Sequence, residues 1–101
     1  MKSRFTLLLA ASAAFATFNA AQAQTKWDMP TPYADGEFHT RNVKAFVEDV
    51  KKATGGKLDI AVHANGSLIK HPDILRAVST GQVNIAEFLL GQFGNEDPVF
   101  A

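Results

Sequence analysis

The chain has 101 residues, 47% of them hydrophobic and 20% charged, with ten basic residues balancing ten acidic ones. That composition suits a globular protein and excludes a disordered one. There is no cysteine, which excludes a disulfide frame, a thiolate metal site, a thiol nucleophile and a lipid anchor on a cysteine.

The first element is a leader. Met1-Lys2-Ser3-Arg4 is basic, Phe5 to Phe18 is uncharged and apolar or small, and Ala21 and Ala23 are small residues two apart. That is the layout of a secretory signal peptide, with cleavage expected after Ala23. The apolar run is 14 residues, short of the ~20 that a membrane-spanning helix needs. The predicted division is 1–23 as signal peptide and 24–101 as a partial amino-terminal α/β lobe, exported to the periplasm. Without Lys2 and Arg4, eight basic residues face ten acidic ones. That is no footprint for nucleic acid or an anionic membrane.

Thr25 to Met29 reads as a first strand, ended by Pro30 and Pro32, since proline cannot donate to a ladder. Tyr33-Ala34-Asp35-Gly36 reads as a turn, with Asp35 placed to cap a helix. That helix is predicted over Glu37–Ala53, where Val43, Phe46, Val47 and Val50 form one apolar stripe. Lys51 and Lys52 suit its negative end, and Gly55 can adopt the left-handed conformation that stops it. Leu58, Ile60 and Val62 alternate in a second strand, Leu58–His63. A second helix begins near Pro72, buries Ile74, Leu75 and Val78, and ends at Gly81. A third strand is predicted from Val83 to about Phe88.

The resulting order is β-α-β-α-β. Strands alternating with helices imply an α/β fold with a parallel sheet core and right-handed crossovers. In such sheets ligands bind outside the carboxyl ends of the strands. The loops expected there are Pro30–Gly36, Ala64–His71 and the segment after Phe88. The final residues, Val99-Phe100-Ala101, are apolar and uncapped, unlike a usual loose terminus, so the chain reads as truncated.

Four motifs carry a family resemblance: Ala53-Thr54-Gly55-Gly56-Lys57-Leu58; Asn65-Gly66-Ser67-Leu68; Ala77-Val78 with Gly81-Gln82-Val83; and Asn95-Glu96-Asp97-Pro98. From about Trp27 to its end, the chain resembles the amino-terminal part of a DctP-type solute-binding protein of TRAP transporters. The resemblance implies the start of the first lobe of a two-lobed periplasmic binder. It would capture a small organic acid, a C4-dicarboxylate or similar carboxylate, and deliver it to the membrane subunits of a transporter driven by an ion gradient. It also implies that the main carboxylate-clamping arginine lies beyond Ala101. No cofactor is implied.

Several residues are candidates for ligand contact, each with a plainer alternative. Tyr33 either covers a ligand or is an exposed loop aromatic. Asn65 and Ser67 either offer an anion backbone N–H groups and a hydroxyl or form an ordinary Asn-Gly turn, and the turn is the preferred reading. Lys70 adds positive charge beside them or is simply solvated. Glu87 continues the alternation of Val83 and Ile85, so it is either a wall of the ligand cleft or a residue in water past the strand. Trp27 reads as core or cleft floor.

His63, His71 and Glu87, with His39, contain metal-ligand types, but their spacing matches no closed zinc motif. A small exported metal-dependent enzyme is the alternative they suggest, and a stand-alone α/β interaction domain is another. Ser67 and Ser79 lack any nucleophile elbow, so the chain reads as a binder and not an enzyme.

Overall fold

The computed structural model describes residues 23–101; the predicted leader, apart from Ala23, lies outside them. The elements are β1 (Thr25–Pro30), α1 (Phe38–Ala53), β2 (Leu58–His63) and α2 (His71–Ser79), followed by 3-10 turns at Leu90–Phe93 and Pro98–Phe100. β1 and β2 pair in parallel, from Thr25 opposite Leu58 to Pro30 opposite His63. This is an α/β arrangement with a parallel sheet.

The alternation of β2 places Leu58, Ile60 and Val62 together with Trp27 and Met29 of β1. Val43 and Val47 of α1 close over them as the first apolar cluster, joined by Val50 and Ile85. The helix stripe differs from the expectation at one end. Phe46 is 47% exposed, while Thr40 is fully buried. Residues 40, 43 and 47 follow the same i, i+3, i+7 spacing, so the buried face is rotated toward Thr40. The Thr40 hydroxyl is satisfied there by donating to the Tyr33 carbonyl at 3.3 Å.

Asp35 does not cap α1. The N-cap position is Glu37, with no side-chain hydrogen bond, and the Asp35 carboxylate instead pairs with the Lys44 ammonium. The predicted glycine stops do operate. Gly55 and Gly81 have φ of 61° and 77°. After α1, the Gly55 and Gly56 N–H groups donate to the Lys52 and Lys51 carbonyls; after α2, those of Gly81 and Gln82 donate to Val78 and Ala77. Both are Schellman closures, which satisfy carbonyls that a helix end leaves unpaired. Thr54 joins α1 to β2 directly, its hydroxyl donating to the Val50 carbonyl and accepting from the Leu58 N–H.

The predicted third strand does not form. The sheet has two strands, and the Glu87 N–H to the Pro30 carbonyl, 3.0 Å, is the one backbone bond tying residues 83–88 to β1 among the described residues. The side chains explain why. Val83, Ala86 and Phe88 turn into a second cluster around Ile69, Ile74 and Ala77, whereas Ile85 enters the first. Serving two clusters breaks the strict alternation that a ladder requires. The segment still crosses beside the end of β1, which brings Glu87 to the sheet edge.

Candidate functional site

At the carboxyl ends of β1 and β2 three stretches of backbone are tied together. The Thr31 N–H donates to the His63 carbonyl (3.0 Å), the Asn65 N–H to the Tyr33 carbonyl (2.7 Å), and the Gly66 N–H to the Thr31 carbonyl (3.0 Å). Adding the Glu87–Pro30 bond, residues from two of the three predicted loops meet at one edge with Glu87 of the predicted third strand; no backbone bond brings the segment after Phe88 there among the described residues.

Glu87 is the charged centre of this group. Its Oε2 accepts a 2.7 Å hydrogen bond from the Thr31 hydroxyl, and Thr31 is fully buried. The hydroxyl oxygen in turn accepts from the Tyr33 N–H at 3.3 Å. The second carboxylate oxygen, Oε1, lies 3.9 Å from His39 Nδ1, with the Glu87 side chain 19% exposed. That separation is too long for a hydrogen bond, and among the described residues none reaches Oε1. The His39 ring stacks on Tyr33, centroids 4.2 Å apart and planes 18° from parallel. The edge therefore presents an aromatic pair and a carboxylate with one fixed and one open oxygen.

Asn65 and Gly66 both have φ of 61°, and the Ser67 N–H returns to the Ala64 carbonyl. These are the positive angles and the closing bond of a type I′ turn. All three N–H groups from Asn65 to Ser67 are engaged internally, so the backbone has none left to cradle an anion. Ser67 and Lys70 are exposed. Lys70 is the N-cap residue of α2, and neither side chain joins the Thr31–Glu87 group among the described residues. Tyr33, Asn65 and Glu87 are thus brought together, while Ser67 and Lys70 stand on the rim.

The histidines are dispersed. His63 Nε2 pairs with Asp28 at 2.8 Å, His71 Nε2 accepts the Leu89 N–H at 3.1 Å, and His39 lies at the edge. Among the described residues no group of three or more His, Asp or Glu is arranged to hold a metal ion. A cavity of about 420 Å³ lined by Pro72, Asp73, Arg76, Phe93 and others flanks α2 and includes none of the edge residues.

Sequence reasoning missed Thr31 and the placement of His39. The signal for Thr31 is a hydroxyl between Pro30 and Pro32, on the first residue after β1, where a side chain faces whatever crosses the strand end. For His39 the signal is its position on the first turn of α1, beside Tyr33.

The model of the family described as "bacterial extracellular solute-binding protein, family 7" (DctP) matches residues 31–101. Among solved structures, DctP6 of Bordetella pertussis, an extracytoplasmic solute receptor binding pyroglutamic acid, is 51% identical, with a TM-score of 0.74 over 75% of this chain and 25% of its own. A marine-metagenome TRAP solute-binding protein specific for pyroglutamate is 45% identical, with a TM-score of 0.74 over 76% of this chain and 25% of its own. Bordetella pertussis DctP7, also a receptor binding pyroglutamic acid, is 42% identical, with a TM-score of 0.73 over 75% and 25%. A comparison with curated proteins found no match. The chain spans about a quarter of the length of these solved receptors. The family consists of solute-binding receptors and not enzymes, which removes the metalloenzyme alternative. With the family model covering most of its length, this chain belongs to the DctP-type solute-binding proteins of TRAP transporters.

Proposed function

We propose that this chain forms one wall of the ligand cleft of a periplasmic receptor that captures pyroglutamate and passes it to the membrane subunits of a TRAP transporter. The observation carrying this reading is the 42–51% identity to three receptors that bind that ligand. It narrows the C4-dicarboxylate or similar carboxylate that the family resemblance implies to a cyclic monocarboxylate. The edge built by Thr31, Tyr33, His39, Asn65 and Glu87 supports the reading, because it gathers a stacked aromatic pair and an open carboxylate oxygen at the carboxyl ends of the strands, where α/β sheets bind ligands. Residues 24–101 are read as part of the first lobe, with a second lobe closing over this edge. Since the edge carries the Glu87 carboxylate, the ligand's own carboxylate is met elsewhere in the receptor, with Ser67 and Lys70 at the rim.

Calorimetric titration of the full-length receptor tests this. Pyroglutamate should bind with a micromolar or tighter Kd, and succinate should not compete. Tight succinate binding with no heat from pyroglutamate would contradict it. The leader has its own check. Mass spectrometry of the exported receptor should find Gln24, or its cyclised form, at the amino terminus, whereas an intact Met1 would show that the leader is retained.

A further inference from the structure

We propose that Glu87 sets ligand specificity as a fixed, acceptor-only contact. It would select ligands that offer a neutral N–H at the end away from their carboxylate and reject those that offer a second carboxylate or a bare oxygen acceptor. This rests on the cleft reading above and adds the residue and the chemistry that discriminate.

The argument begins with the two oxygens of Glu87. Oε2 is held by the Thr31 hydroxyl at 2.7 Å. Thr31 is fully buried, and its backbone is locked by bonds to His63 and Gly66. The Glu87 backbone is tied to Pro30. The carboxylate is therefore fixed through both its main chain and its side chain, with little freedom to turn away from an unsuitable ligand. Oε1 has no hydrogen-bond donor among the described residues, and the side chain keeps 19% exposure, which leaves that oxygen open at the sheet edge.

A carboxylate only accepts hydrogen bonds, and a ligand atom placed against Oε1 must donate. A lactam N–H satisfies this. A ring oxygen in the same place meets lone pairs with lone pairs, and a second carboxylate adds charge repulsion. The Tyr33–His39 stack beside it offers a flat ring a flat neighbour. Thr31 acts as a positioning residue, since it aims the acceptor without needing to touch the ligand.

The test uses the full-length receptor and three probes: pyroglutamate, its lactone analogue 5-oxotetrahydrofuran-2-carboxylate, in which the N–H becomes a ring oxygen, and glutarate. A lost hydrogen bond to a charged group predicts that the lactone binds wild type about 100-fold more weakly than pyroglutamate. Glutarate should bind no better than the lactone. Glu87→Gln can turn its amide to present either a donor or an acceptor, so it should bring the lactone within about threefold of pyroglutamate. Thr31→Val, which frees the carboxylate to rotate, should narrow the same ratio while leaving the far-ultraviolet circular dichroism unchanged; a merely structural threonine would weaken both ligands alike.

Pyroglutamate and lactone binding wild type equally would overturn the inference while leaving pyroglutamate capture intact, as would a Glu87→Gln variant that keeps the full ratio. Failure of wild type to bind pyroglutamate would overturn the proposed function, and this inference with it. If Glu87→Gln does not fold, the wild-type ratio alone decides.

Discussion

Glu87 was legible as a residue with two fates, and its partner was not. Hydrophobic periodicity reports which side chains are buried but not what a buried hydroxyl is for, so Thr31 passed as part of a proline-bounded strand end. Phe46 misled for a related reason. An apolar residue beside a helical stripe raises the apparent width of the buried face, and only the neighbouring sheet decides which border is covered. Ile74 was read correctly because it lies at the centre of its stripe. It is fully buried within the second cluster, and Ile74→Ala should cost about 2–5 kcal/mol of stability, the range for emptying a packed aliphatic site. Urea denaturation of the receptor would show this as a lower midpoint with an unchanged slope. A loss below about 1 kcal/mol would mean that the second cluster collapses easily around the gap.

Elements whose boundaries are set by local chemistry were found within a residue or so. The predicted helix over Glu37–Ala53 is observed as Phe38–Ala53, and β2 matches its expected span. In both helices, glycine in the left-handed conformation fixes the stop, and this depends on no distant contact. The third strand fails because its alternation is shared between two clusters. Val83 belongs to one and Ile85 to the other, a division the spacing of apolar residues does not reveal. Its main geometric consequence survives, because the single bond from Glu87 to Pro30 delivers the carboxylate to the same edge a ladder would have reached. The Asn65–Gly66 turn shows the opposite case, where the common reading of a dipeptide was sufficient and its N–H groups are consumed inside the fold.

For the molecule as a whole, the α/β order and the meeting of the first two predicted loops at the strand ends followed from the residues. Membership of the solute-binding family followed from four short motifs and is shown by the family model. The identity of the ligand did not follow, because the described residues bring a single open carboxylate oxygen to the strand edge and the family resemblance implied no more than a C4-dicarboxylate or similar carboxylate, whereas the similar solved receptors bind pyroglutamic acid. The fold accounts for the position of that edge. α1 covers one face of the β1–β2 pair, the Schellman turns return the chain to the sheet, and the segment after α2 crosses the strand ends. The most direct measurement is a crystal structure of the full-length receptor with pyroglutamate bound. The account predicts the ligand ring against Tyr33 and His39, with its N–H donating to Glu87 Oε1 at about 2.7–3.0 Å and its carboxylate held by residues outside this edge. A ligand bound away from Glu87, for example beside α2 near Arg76, would contradict it.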